Sequence, residues 1–229
     1  MHFSSEFFAR WLTIRQAIMR DLTYLGFTLL MATFGMGQAM AIEEAKYTTI
    51  VTQRSFEVRQ YQPHIVAETV VDGDLESAGS KAFNPLFQYI SGNNESRDKV
   101  AMTAPVGMRA ANEKISMTSP VAQQQDDGRW AVSFMMPSSY TLETLPVPTD
   151  PSVALRQMPE RTMAAIRYSG FWSEKNYLKH AAKLNAWVAN KGFNTIGDPV
   201  WARYDAPYMP WFLRRNEILI TIETPKNND

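Results

Sequence analysis

Residues Lys99 to Val121 read KVAMTAPVGMRAANEKISMTSPV and state one pattern twice. KVAMTAPV, starting at Lys99, returns as KISMTSPV, starting at Lys114, with Ala110-Ala111-Asn112-Glu113 between them as a connection of hairpin length. Val, Ile, Thr and Met favour strands. The proline in each copy cannot donate to a sheet ladder, so it belongs at an edge, a bulge or a strand end. The stretch therefore predicts two antiparallel strands, each ending or bending at its proline. A third strand, Trp130 to Met136, follows the turn Asp126-Asp127-Gly128 and stops at Pro137.

Working outward, Tyr47 to Arg54 and Ile65 to Val71 read as strands rich in β-branched residues. Between them Phe56 to Tyr61 alternates, with Phe56, Val58 and Gln60 on one face and Glu57 and Arg59 on the other. Asp72-Gly73-Asp74 is a turn, and Asp74 is placed to cap a helix. An apolar stripe of Leu75, Ala78, Ala82, Phe83, Leu86, Phe87 and Ile90 draws that helix, and Gly92 stops it. Pro137 to Pro151 is a surface connector.

The pattern then returns. Val153 to Gln157 answers Glu57 to Gln60 at an offset of 97, Met163 to Tyr168 answers Val66 to Val71, and Gly170 answers Gly73. Ser173 caps a second helix with Leu178, Ala181, Ala182, Asn185 and Val188 inward, and Pro199 to Tyr204 and Glu217 to Glu223 are strands. Two copies of strand, strand, glycine turn, amphipathic helix and strands predict a pseudo-twofold α+β domain. Its distorted antiparallel β-barrel is built from two βαββ-like repeats, with two amphipathic helices covering the outside or one mouth.

The first 41 residues read as a separable leader. Arg10, Arg15 and Arg20 precede an uncharged apolar run from Leu22 to Met36, and Ala39-Met40-Ala41 fits signal-peptidase cleavage. An uncleaved anchor over residues 22–42 is the alternative, and Met19 is an alternative start. The expected product is an exported domain of residues 42–229, periplasmic or extracellular, free of the membrane after cleavage. That segment carries 20 basic and 21 acidic residues, so nothing draws it to nucleic acid. Zero cysteine excludes disulfides, thiolate metal sites and a cysteine nucleophile, leaving the fold dependent on its core.

Chemistry-bearing residues are sparse. Beyond the leader the histidines are His64, at a strand start, and His180, on the core flank of the second helix. No metalloprotease helix motif, nucleophile elbow or phosphate loop is present. Arg214-Arg215-Asn216-Glu217 reads either as a solvated loop with a salt bridge or as a basic clamp for a carboxylate.

FEVRQY followed by Pro63, KVAMTAPV, the strand ending at Met136-Pro137-Ser138, and RRNE before a final strand together resemble the SOUL/haem-binding protein family, over about Tyr47 to Glu223. The resemblance implies a two-repeat antiparallel barrel. It also implies haem or another porphyrin held non-covalently in an apolar groove by the first helix. Phe83 and Phe87 match the apolar contacts, while Ser80 and Gln88 stand where basic residues are expected. Arg214, Arg215 and Lys81 remain as partners for propionates. In one branch of the family the proposed axial histidine falls at the position of Gln60, a poor iron ligand, which leaves His64 as the candidate metal ligand. The expectation is a monomeric binding protein without catalysis of its own. Two alternatives stay open. One is a module for a lipid or another small molecule. The other is a small hydrolase on a barrel resembling regulator effector domains, with Glu68 or Tyr89 as its acid.

Overall fold

A computed structural model describes residues 42–97 and 112–223. The leader, the first motif copy at Lys99–Val106 and most of the connection between the copies lie outside the described residues.

The chain runs β1 (Tyr47–Gln53), β2 (Phe56–Tyr61), β3 (His64–Val71), α1 (Leu75–Ile90), β4 (Asn94–Glu95), β5 (Val121–Asp126), β6 (Arg129–Met135), β7 (Val147–Pro148), β8 (Ala154–Met158), β9 (Arg161–Tyr168), α2 (Glu174–Asn190), β10 (Asn194–Arg203) and β11 (Asn216–Glu223). Nine strands form one sheet in the order β1-β2-β9-β11-β10-β5-β6-β3-β8, every pairing antiparallel, and β4 pairs with β7. The domain is α+β, as expected. The sheet is not closed, because β1 and β8 stand at its two ends. The expected barrel is corrected to a curled open sheet.

The second strand of the hairpin expected over Lys99–Val121, at Lys114–Val121, is also corrected. Lys114 to Pro120 joins no strand beyond an isolated parallel bridge between Ser119 and Glu44. It runs as a strap instead, with the Ile115 amide bonded to the Ile90 carbonyl and the Ser119 amide to the Glu43 carbonyl. Pro120 has no amide to give a ladder, and β5 starts at the next residue. The hairpin that forms is β5–β6. Its turn at Asp127-Gly128 has positive φ at both positions (47° and 77°), the twist a two-residue connection requires.

Both helices lie on one face of the sheet. α1 starts where the Asp74 carboxylate accepts from the Ser77 amide at 2.7 Å. It buries Ala82, Leu86, Tyr89 and Ile90 against Ile65, Ala67, Val132 and Phe134. α2 packs Tyr177, Ala181, Leu184, Trp187 and Val188 over Val58, Ile166, Trp201 and Ile218. Its inner stripe differs from the expected one. Leu178 is 55% exposed, and Ala182 and Asn185 are exposed too. The helix is turned by about one residue step of 100°, because Trp187 stacks on Phe56 at 5.1 Å and brings Tyr177 and Leu184 inward.

The opposite face carries Tyr61, Met163, Ala165, Val200, Ala202 and Leu219. Strand side chains alternate between faces. In β3, Ile65 and Ala67 therefore face the helices while His64, Val66 and Glu68 turn to this second face.

Candidate functional site

Side chains from β2, β3, β5, β6, β8, β9, β10 and β11 meet on the second face around a cavity of about 80 Å³. Beside it, between the segment before β1, the start of β3 and the connector after β6, lies a cleft of about 360 Å³. Ala45, His64 and Met135 line both. Only the cleft reaches the range of roughly 300–1,000 Å³ usual for ligand pockets. The inner cavity is far too small for a porphyrin.

The sequence reading missed the buried ion pair on this face. Arg59 is 3% exposed and Glu217 is fully buried, and their side chains meet at 2.5 Å. Arg215 joins at 3.0 Å and reaches Glu44 at 2.9 Å, while its guanidinium lies 3.7 Å over the Tyr204 ring. Tyr61 accepts from Arg59 at 3.0 Å, and Tyr204 donates to Glu217 at 3.1 Å. Burial pushes the Glu217 carboxyl up, but hydrogen bonding and charge from Arg59, then Arg215, outweigh it and hold the group below its ordinary range. Burial pushes the Tyr61 hydroxyl up to about 12. One signal for this pair was present: Ile218-Leu219-Ile220, directly after Glu217, is a continuous apolar run of the kind found in strands buried on both faces.

The structure separates the residues named from sequence. Phe83 and Phe87 stand at the rim of α1, 40% and 42% exposed, with rings 5.5 Å apart and 13° from parallel. Phe83 also meets the edge of Phe134 at 5.5 Å. His64 projects from the other face of the sheet. Its Nδ1 lies 2.9 Å from the Gln62 carbonyl, which fixes the proton there and leaves Nε2 as the lone-pair nitrogen of the neutral ring. Burial lowers the His64 pKa; the Gln62 carbonyl opposes this and the Arg161 charge adds to it. Gln60 is exposed and donates to Glu160 at 2.6 Å.

Arg214 and Arg215 are both engaged. Arg215 belongs to the Glu44–Glu217 network. Arg214 donates to the Met209 and Pro207 carbonyls at 2.8 and 2.7 Å and lies 4.5 Å over Trp172. The salt bridge expected in RRNE is made by Arg215 alone, and it is buried at Glu217 rather than solvated. Lys81 donates to the Asp72 carbonyl at 3.0 Å. Glu68 lines the inner cavity but pairs with Arg156 at 2.6 Å. Tyr89 is buried on the helix side, away from that cavity, with its hydroxyl donating to the Pro146 carbonyl. His180 stacks on Tyr168 at 3.8 Å.

The domain is thus an open antiparallel sheet with two helices on one face, a small cavity on the other and one cleft of small-molecule size beside it. The SOUL heme-binding protein family model matches residues 42–221, and the chain belongs to that family. It is 27% identical over 168 residues to Heme-binding protein 1 of Xenopus tropicalis, covering 72% of this chain and 82% of that one. It is 26% identical over 173 residues to Heme-binding protein 2 of Homo sapiens, with 71% and 80% covered. Among solved structures, the EcmrR C-terminal domain superposes with a TM-score of 0.53 at 12% identity, covering 78% of this chain and 98% of that one. A hydrolase from Listeria innocua superposes with a TM-score of 0.50 at 14% identity, with 76% and 94% covered. These two share the fold.

Proposed function

We propose that this chain is an exported, non-catalytic protein that binds haem or a related tetrapyrrole against the exposed aromatic rim of α1. The observation that carries the reading is the stacked Phe83–Phe87 pair, two large apolar rings left in solvent beside a well-packed helix. A flat apolar ligand covers such a pair, and each ring contributes part of the roughly 1.5–3 kcal/mol of a fully buried phenylalanine. Family membership supports the ligand class. Bound there, haem supplies its own iron chemistry, while the protein contributes apolar contact and no axial side chain from the described residues of α1. Export rests on the leader at residues 1–41. The two-repeat plan is supported by the strand order, since exchanging β2 with β8, β3 with β9, β5 with β10 and β6 with β11 reproduces the pairings among these eight strands, β1 alone having no counterpart in the sheet.

The test is a parallel titration with haemin and iron-free protoporphyrin. Apolar contact predicts affinities within a few-fold of each other, both weakened about five- to tenfold by Phe87→Ala. That is the loss of about 1 kcal/mol.

A second reading has its own support. The free Nε2 of His64, held in orientation by the Gln62 carbonyl, lines a cleft large enough for part of a macrocycle. Haem ligated there would bind much more tightly than iron-free porphyrin, and His64→Ala would remove the difference. His64 and the Phe83–Phe87 pair lie on opposite faces of the sheet, so one haem does not use both.

A further inference from the structure

We propose that the inner cavity is a binding site for a short aliphatic carboxylate, anchored by the guanidinium of Arg161, which has no partner among the described residues. The site is separate from the haem surface of α1 and does not rest on that reading.

The argument begins with charge. Around this face Arg59 and Arg215 share Glu217, Arg215 also holds Glu44, and Glu68 holds Arg156, all within 3.0 Å. Arg161 has no ion pair and no side-chain hydrogen bond among the described residues, and its Nε is buried without a partner. Burial lowers its pKa, with only Tyr61 acting against the shift. Leaving a buried donor of a charged group unsatisfied is costly, and native structures seldom do so without a missing partner.

Geometry places that donor. Arg161 begins β9 and points to the same face as Met163, and both line the cavity. Tyr61 stands directly opposite Arg161 across the β2–β9 pairing, and His64 also lines the cavity. The remaining wall is mostly apolar, including Val66, Met158, Met163 and Leu219.

A planar carboxylate matches the fork formed by the two terminal nitrogens of arginine, which, unlike Nε, are not wholly buried. One unpaired cation asks for one negative charge, which favours a monocarboxylate over a dianionic phosphate. The apolar wall suits a short alkyl chain. A volume of about 80 Å³ has room for more than one water and suits a short acid such as butyrate better than a long-chain one.

The experiment uses the full-length, haem-free chain, titrated with butyrate and with butyramide and followed by calorimetry and amide NMR. The expected result is saturable one-to-one binding of butyrate, at least tenfold tighter than butyramide, with shifts centred on β2, β3 and β9. Arg161→Gln is expected to weaken butyrate at least tenfold while melting no lower than wild type. Ala131→Leu, which fills the cavity and leaves Arg161 in place, is expected to abolish binding. The proposal is overturned if wild type shows no saturable butyrate binding, if butyramide binds equally well, or if Arg161→Gln binds butyrate like wild type.

Discussion

Glu217→Gln is expected to destabilise the domain by about 3–5 kcal/mol, because it leaves two guanidinium groups, one of them almost wholly buried, without their shared charge. For a domain of this size that lowers the melting temperature by about 10 °C. The pH dependence has a definite sign. Glu217 has a folded-state pKa below its ordinary value of 4.5, so its contribution is full above that value and fades as the pH falls through the lower folded one. The gap between wild type and Glu217→Gln therefore narrows in acid. Removing both partners with Arg59→Met and Glu217→Leu is expected to recover much of the loss, since Arg215 keeps Glu44. Melting curves at several pH values check this. A gap that stays constant down to pH 3 contradicts it.

Leu86→Ala is the second large effect. Leu86 is fully buried beneath α1, against the cluster that includes Val132 and Phe134, and its truncation opens a cavity costing about 2–5 kcal/mol. Its neighbour Phe87 is 42% exposed, so Phe87→Ala is expected to change stability by less than about 1 kcal/mol. Chemical denaturation of the two variants separates these roles. On the proposed function, stability and ligand contact fall on adjacent residues of one helix, and a comparable loss for Phe87→Ala would mean that its ring is core.

Much of the architecture was legible because glycine, aspartate and proline punctuate it. The Asp74 cap, the Asp127-Gly128 turn and the stop before Pro137 all act locally. The KISMTSPV stretch was misread because strand propensity describes fit to a pleated neighbour, and this segment has Ile90 and Glu43 as its partners instead. On α1 the apolar stripe is wider than the arc the sheet covers, so Phe83 and Phe87 read as core and lie at its rim. On α2 the amphipathic Tyr177 and Trp187 hid the true inner line. The candidate site was hardest to see. Arg59 and Glu217 are 158 residues apart, and no local pattern joins them. Arg161 carries no motif, and only the folding of eight strands around the cavity shows that it has no partner among the described residues.

The central claim is that a tetrapyrrole is held by apolar contact on α1. Haemin titration followed in the Soret region, on wild type, Phe83→Ala, Phe87→Ala and His64→Ala, tests it most directly. The account predicts a saturable one-to-one spectral change, weakened by either phenylalanine substitution and unaltered by His64→Ala. Binding that survives both phenylalanine substitutions and is lost with His64→Ala would contradict it and move the haem to the cleft on the other face.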